Sequence, residues 1–192
     1  MKNHSLNIPE IREIIPDIHR DSRGFFSEVY NENTLHDLGV DIKWVQDNHS
    51  VSTEKGVLRG LHFQIPPFDQ DKLVRVIHGS ILDVVVDIRN GSPSFGQHVC
   101  LVVSKEKWNQ ILVPKGFAHG FVTLEPDTEV IYKVSAPYSK EHDRVIRYDD
   151  PDLAIDWQFE ESELSMSKKD AAAPRLRDQD TGFRFETKGQ LV

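Results

Sequence analysis

The chain has 192 residues, 38% of them hydrophobic, and a formal net charge of −8 at pH 7. A chain of this size buries a core without disulfides or metal and fits one domain, and its acidic balance argues against nucleic acid as the main partner. No apolar run approaches the roughly 18 residues of a membrane helix, and the first residues show no signal-peptide pattern, so no membrane partner is expected. The single cysteine, Cys100, lies in an apolar run, which predicts a buried thiol in a protein of the reducing cytoplasm.

Short stretches of strand-forming residues separated by turn signals fill most of the chain. The pattern predicts one short helix over 33–38 and strands over 8–15, 25–30, 43–46, 56–64, 73–78, 80–88, 98–103, 110–113, 116–123 and 128–135. Strands at this spacing are typical of an antiparallel sandwich or barrel.

The composition shifts after Pro151. Short helices are favoured over 160–164 and 167–173, and the tail after Pro174 is predicted to be polar and partly mobile. We therefore expect a single domain over 1–192, with a barrel core at about 20–150 and a helical C-terminal segment at about 151–192.

The stretch 81–88 shows the clearest alternation in the chain. One of its faces is entirely apolar, and the other carries Asp83 and Asp87. Both carboxylates are therefore expected to point away from the main core.

The stretch 56–76 sets several ionisable residues among apolar, strand-forming ones. A histidine in mid-strand, such as His62, is by itself more often a hydrogen-bonded core residue than a catalyst. Here Arg59 and Lys72 are close in sequence, and burying so many donors costs desolvation unless a ligand or carboxylate compensates. Strict alternation places Arg59 and His62 on opposite faces. A shared site therefore requires a bulge, for which Gly60 is the candidate, or Arg59 reaching in from the rim.

Two further motifs carry chemistry. The spacing of Pro114, Gly116 and His119 resembles the second motif of cupins, small β-barrels in which that histidine often binds metal. The stretch 62–64, at the place of the first cupin motif, lacks the expected carboxylate, so the ligand set is incomplete and we predict no metal. Tyr132 alternates with apolar residues and is interpreted either as a barrel tyrosine with its hydroxyl at the rim or as a catalytic group.

Taken together, six motifs identify a family resemblance. They are DSRGFFSE at 21–28, QDNHS at 46–50, GVLRGLHFQ at 56–64, KLVRV at 72–76, PKGFAHGF at 114–121 and SKKD at 167–170. In this order and spacing they closely resemble the dTDP-4-dehydrorhamnose 3,5-epimerases, cupin-type nucleotide-sugar enzymes, over roughly 21–170. The resemblance implies an all-β, cupin-type jelly-roll β-barrel with a few short peripheral helices. It also implies a reaction without a cofactor, which inverts C3 and C5 of dTDP-4-keto-6-deoxy-D-glucose.

The resemblance also implies a role for each matching residue. His62 matches the general base, Asp170 the carboxylate that orients it, Tyr132 the proton donor on the opposite face of the sugar, and Lys72 the residue beside the keto oxygen. Matches to substrate contacts are Arg23, Glu28, Gln46, Asn48, Arg59, His119, Asp143, Lys169 and Tyr138. The implied assembly is a homodimer in which N-terminal strands cross to the partner and carry Arg23 and Glu28 into its site.

Three other functions remain open from the residues. The first is a relative that epimerises only one carbon or acts on another 4-keto nucleotide sugar. The second is a non-catalytic sugar-nucleotide-binding cupin, which would be favoured if His62, Tyr132 or Asp170 were missing, and all three are present. The third is a metal-dependent cupin enzyme, against which the incomplete ligand set argues.

Overall fold

The computed structural model describes residues 1–186. The strands are β1 Lys2–Ser5, β2 Arg12–Ile15, β3 His19–Asp21, β4 Gly24–Phe26, β5 Gln46–Ser52, β6 Leu58–Gln64, β7 Lys72–His78, β8 Ser80–Asp87, β9 His98–Ser104, β10 Gln110–Val113, β11 Phe117–Thr123, β12 Thr128–Val134 and β13 Asp143–Val145. The helices are α1 Glu32–Asp37 and α2 Lys168–Ala171, with 3₁₀ turns at Glu161–Glu163 and Leu176–Asp178.

Two antiparallel sheets form the barrel. One has the order β1-β2-β10-β7-β12-β5, the other β13-β6-β11-β8-β9, and β3 and β4 form a separate hairpin. Side chains from both sheets, among them Val76, Val85 and Val113, meet in an apolar cluster in the barrel interior. The predicted all-β jelly-roll barrel and the short helices are confirmed.

The outer face of the five-stranded sheet is also covered. Val84 and Val86 of β8 pack there against Trp157 and Leu176 of the C-terminal segment. Burial on both faces explains why apolar residues of β8 occur on both sides of the strand, since all eight of its residues are buried. Fully burying one Val or Leu side chain contributes about 1.5–3 kcal/mol, so the C-terminal segment is an integral layer of the fold.

Several predicted boundaries are wrong. The strand predicted at 43–46 forms instead at Gln46–Ser52, the one at 25–30 ends at Phe26, and the one at 8–15 begins at Arg12. Strand β5 alternates polar residues toward the cavity described below with exposed ones outside, so it lacks the apolar periodicity that predicts strands. Ile8 and Ile11 are buried without being in a strand.

The prediction that Asp83 and Asp87 point away from the core is wrong, because both are fully buried. Hydrogen-bond donors compensate Asp87 on both of its oxygens and Asp83 on one only. Asp83 pairs with His119, and Asp87 accepts hydrogen bonds from Arg89 and two serines.

The tail is also better packed than predicted as far as residue 186. Leu176 and Thr181 are buried, and the Thr181 hydroxyl donates to the Ile88 carbonyl at 2.8 Å. The rest of the predicted mobile tail, 187–192, lies outside the described residues. Cys100 is exposed on edge strand β9, not buried as predicted. No helix within residues 1–186 is long and apolar enough to span a membrane.

Candidate active site

A cavity of about 380 Å³ opens into the barrel. Eleven of the thirteen predicted site residues line it: Gln46, Asn48, Arg59, His62, Lys72, His119, Tyr132, Tyr138, Asp143, Lys169 and Asp170. They come from both sheets and from α2, so only the closed barrel brings them together.

A bulge in β6 solves the alternation problem. His62 pairs with His119 of β11, but the next paired positions are Arg59 and Phe121, so β6 holds one extra residue between them. Gly60 has a φ of 131°, and a Cβ built there would lie 2.5 Å from the Gly120 Cα. Only glycine fits this close approach of two backbones, and the predicted bulge that brings Arg59 and His62 into one cavity is confirmed.

The first histidine–carboxylate pair joins β6 to α2. His62 Nε2 lies 2.7 Å from Asp170 Oδ1. The His62 side chain is 36% exposed, whereas that of Asp170 is 4% exposed. Burial by itself raises the pKa of Asp170, but the hydrogen bond and charge of His62 and further hydrogen bonds from Ser167 and Gly60 lower it below its usual value. The carboxylate is therefore ionised, and it can orient the imidazole at the cavity wall and stabilise its protonated form.

Local sequence explains how Asp170 reaches β6. Ser165 exchanges backbone hydrogen bonds with Gly56 and Leu58, which attaches the C-terminal segment beside the start of β6. Ser167 then caps α2, and its side chain accepts the backbone N–H of Asp170. The carboxylate thus projects from the first turn of a short helix that is fixed at its beginning.

Lys72 is a buried amine on the cavity wall. Its Nζ donates to the His62 carbonyl at 3.3 Å. Burial lowers its pKa to about 8, with Asp83 and Asp143 opposing that shift. Near neutral pH the ammonium is protonated, and it can hold a developing negative charge while remaining close to the pH at which it gives up a proton.

Tyr132 and Arg59 complete the inner wall. Burial raises the pKa of Tyr132, Arg59 opposes that shift, and Asp143 adds to it. The phenol is therefore neutral near pH 7 and can donate its proton. The Arg59 guanidinium reaches Ser52 Oγ at 3.3 Å, whereas its buried Nε has no partner within the described residues.

The outer part of the cavity is polar. Asp143 of β13 pairs with Lys169 and accepts a hydrogen bond from the Tyr138 hydroxyl at 3.1 Å. On the facing strand β5, Gln46 Nε2 donates to Asn48 Oδ1 at 2.8 Å. These groups offer both donors and acceptors to a polar ligand at the mouth.

A second histidine–carboxylate pair lies on the neighbouring strands. His119 Nε2 is 2.8 Å from Asp83 Oδ2, and the two side chains are 8% and 0% exposed. His119 lines the cavity, whereas Asp83 stands behind it in β8. This pair is therefore far less open to a ligand than the His62 pair.

Arg23 and Glu28 lie outside the cavity in the single chain. The Arg23 side chain is 88% exposed and pairs with Asp21 of its own hairpin at 2.6 Å. Glu28 lines a separate surface pocket with Tyr30 and Lys133. The fold of one chain thus does not bring these two residues to the other eleven.

Sequence reasoning missed some of the lining. The additional residues at the wall are Ser50, Phe63, Gln64, Gln70, Phe121 and Ser167. The period of two along β5 would have found Ser50 from Gln46 and Asn48. Gln64 instead fastens loops, since its amide donates to the Phe68 carbonyl at 2.6 Å and accepts from the Ser139 N–H at 2.7 Å. Within residues 1–186, no three His, Cys, Asp or Glu residues are grouped to hold a metal ion.

Comparisons with known proteins agree on one family. The family model described as dTDP-4-dehydrorhamnose 3,5-epimerase matches residues 5–178. A Sinorhizobium fredii protein of that name is 46% identical over 181 residues, or 94% of this chain and 92% of the relative. The crystal structure of a Legionella pneumophila 3,5-epimerase in complex with dTDP-4-keto-L-rhamnose is 43% identical, with a TM-score of 0.92 over 97% of this chain and 99% of that one. A 3′-monoepimerase from Streptomyces bikiniensis, in complex with dTDP-quinovose, is 32% identical, with a TM-score of 0.82 over 91% and 87%.

Proposed function

The chain belongs to the dTDP-4-dehydrorhamnose 3,5-epimerase family, and we propose that its cavity inverts C3 and C5 of dTDP-4-keto-6-deoxy-D-glucose to give dTDP-4-keto-L-rhamnose. The observation that carries this proposal is that His62, Asp170, Lys72 and Tyr132 line one cavity. Inversion beside a ketone needs a proton removed on one face and a proton returned on the other. A base and an acid on separate strands of one cavity suit that task.

His62 is the base in this proposal. Its ring is half-buried at the cavity wall, and its Nε2 is held by Asp170 at 2.7 Å. The other ring nitrogen takes the proton from the carbon beside the ketone, and Asp170 stabilises the imidazolium that forms. General acid–base catalysis of this kind contributes about 10²–10⁴-fold.

Lys72 stabilises the intermediate. Loss of a proton beside the ketone leaves an enolate, whose oxygen needs a fixed donor in a site shielded from water. Lys72 is buried and carries the ammonium charge near neutral pH. One preorganised donor of this kind is worth about 3 kcal/mol.

Tyr132 returns the proton. It lies on β12 of the six-stranded sheet, whereas His62 lies on β6 of the other sheet. A sugar ring placed between them would meet the base on one face and the neutral phenol on the other. Each inversion leaves His62 protonated and Tyr132 deprotonated, and proton exchange with solvent resets both groups before the next carbon reacts. The substrate is neither oxidised nor reduced overall, so the chemistry requires no nicotinamide.

The rest of the lining binds the substrate in this proposal. Arg59 and His119 hold the diphosphate or the sugar, and the arginine fork suits phosphate oxygens. The remaining proposed nucleotide or substrate contacts are the polar residues Gln46, Asn48, Tyr138, Asp143 and Lys169, which line the same cavity. This binding energy positions the ring without taking part in the chemistry.

The proton NMR spectrum of dTDP-4-keto-6-deoxy-D-glucose incubated with the protein in D₂O tests the proposal. Deuterium at both C3 and C5 with inversion is the expected result. Label at one carbon only would indicate a mono-epimerase, the alternative that the similarity to the Streptomyces bikiniensis enzyme supports. No label would move the assignment to another substrate or to a binding protein. His62→Ala protein is the matched blank.

The same proposal includes a homodimer. Arg23 and Glu28 lie outside the cavity of their own chain, and Phe25 and Phe26 of the same hairpin are 53% and 66% exposed. An arm with exposed aromatic and charged residues suits insertion into a second copy, where Arg23 and Glu28 would complete the site.

Complementation between two defective variants tests this exchange. His62→Ala keeps the arm and Arg23→Ala keeps the base, so a mixed dimer holds one complete site. With random mixing, half of the dimers are mixed, and about a quarter of wild-type activity is expected. A mixture no more active than its parts would show that Arg23 does not act in the partner's site.

A further inference from the structure

Asp83 occupies an unusual place behind the cavity. It lies on β8, between β9 and β11, and its side chain is fully buried. Its neighbours on the same inward face are Ile81 and Val85, which belong to the apolar interior. A carboxylate in such surroundings loses hydration and needs compensation.

Asp83 is only partly compensated within residues 1–186. Its Oδ2 lies 2.8 Å from His119 Nε2, whereas its Oδ1 is buried without a hydrogen-bond partner. By contrast, the equally buried Asp87 on the same strand takes hydrogen bonds from Arg89, Ser92 and Ser94 on its two oxygens. These hydrogen bonds account for the burial of the Asp87 carboxylate, whereas the unpartnered oxygen of Asp83 has no such structural explanation.

His119 connects Asp83 to the cavity. Its Nε2 lies against Asp83 Oδ2, and His119 lines the cavity, whereas Asp83 does not. Asp83 therefore acts on a substrate through His119.

We propose that Asp83 is a positioning residue of the epimerisation, which holds His119 with its Nε2 proton directed away from the substrate and its Nδ1 toward the cavity. The proposal rests on the proposed function. Because the carboxylate of Asp83 accepts the Nε2 proton, the ring presents Nδ1 to the cavity in a fixed orientation.

Other ionisable groups also line the cavity with His119. Arg59 and His62 lie on β6, Lys72 on β7, Tyr132 on β12, Asp143 on β13, and Lys169 and Asp170 on α2. Substitution of Asp83 leaves all seven in place. A change in KM after that substitution therefore reports on Asp83 and the His119 ring that it holds.

Asp83→Leu removes the acceptor of the Nε2 proton, whereas Asp83→Asn keeps one, since the amide oxygen can still accept it. Because His119 is a substrate contact in the proposed function, Asp83→Leu should raise KM about 10-fold with kcat changed less than about threefold, and Asp83→Asn should keep KM within about threefold of wild type. Asp87→Asn is the matched control: it removes an equally buried carboxylate of β8, and its KM should not change. A folded Asp83→Leu protein with the wild-type KM would overturn the proposal.

A second measurement needs no variant at position 83. Nitrogen-15 NMR of labelled histidine in the wild-type protein, with His119→Gln to assign the signal, reports which ring nitrogen carries a proton. Nε2 of His119 should carry a proton, and an unprotonated Nε2 would overturn the proposal even if Asp83→Leu did not fold. This spectrum does not depend on turnover. If wild-type protein gave no exchange in D₂O, the proposed function would fail, and the spectrum would still decide whether Asp83 holds His119.

Discussion

The two histidine–aspartate pairs at the cavity have the same residue types but differ in the exposure of the histidine and in the hydrogen bonds of the carboxylate. His62 and His119 are direct neighbours in the β6–β11 register, and each bonds a carboxylate through Nε2 at 2.7–2.8 Å. Yet His62 is half-buried at the wall, whereas the His119 side chain is 8% exposed. The ligand can therefore reach one imidazole for proton transfer and the other mainly for a directed contact.

The two carboxylates reach their histidines by different routes. Asp83 is on the strand adjacent to His119 in the same sheet, whereas Asp170 lies 108 residues from His62 on the separate segment around α2. Asp170 accepts further hydrogen bonds from Ser167 and Gly60, whereas Oδ1 of Asp83 has no hydrogen-bond partner within the described residues. Because the residue types are the same, the exposure of the histidine and the additional hydrogen bonds of the carboxylate are what distinguish the proposed base from the proposed substrate contact.

The largest expected difference between the pairs follows removal of each imidazole. His62→Ala should lower deuterium exchange at both C3 and C5 by about 10²–10⁴-fold, because the substitution removes the proposed general base. His119→Ala should retain exchange at saturating substrate and mainly raise KM. Proton NMR in D₂O measures both, with His49→Ala, an exposed histidine paired with Glu129 on the outer face, as control. Near wild-type exchange in His62→Ala would mean that another group is the base.

Asp170→Asn should have a smaller effect than loss of His62. The imidazole remains, but it loses the charge that stabilises its protonated form, so kcat should fall by about 10²-fold. Steady-state kinetics measure this loss, and Asp156→Asn, at an exposed carboxylate, is the control. A decrease of less than threefold would show that the Asp170 carboxylate does not support proton transfer by His62.

Tyr132→Phe should affect the two halves of the reaction unequally. Proton removal by His62 survives, whereas return of a proton on the opposite face is impaired, so exchange continues while completed inversion falls. The ratio of deuterium incorporation to epimerised product, followed by NMR, reports this split. Equal loss of both would place Tyr132 in binding or in proton removal rather than in proton return.

Of the predicted effects on kcat, the effect of pH should be the smallest near neutral pH. Because burial lowers the pKa of Lys72 to about 8, its ammonium form dominates below that value and is lost above it, so kcat should decline as pH rises through about 8. Lys72→Arg, which stays protonated, should abolish this decline even if its overall rate is lower. A wild-type rate constant up to pH 10 would contradict the role of Lys72 as the charged donor.

Much of the fold followed from local pattern. Turn-bounded β stretches predicted the barrel, and the predicted helix at 33–38 forms at Glu32–Asp37. The bulge at Gly60 was predicted from the conflict between alternation and a shared site, and the register confirms it. The failures have a common cause. Strand β5 lacks apolar periodicity because its inward face meets a polar cavity, and β8 hides two carboxylates because the face that carries them turns toward the barrel interior.

The sequence by itself determined the barrel class, the family resemblance and the chemical types present at the site. Tertiary structure alone decided which histidine is reachable, because exposure depends on how two sheets close around each ring. It also decided that Asp83 stands behind His119 while Arg23 stays outside the cavity of its own chain. Motifs specify residues along one strand, whereas burial and pairing are set by strands and segments far away in the chain, such as β8 and α2.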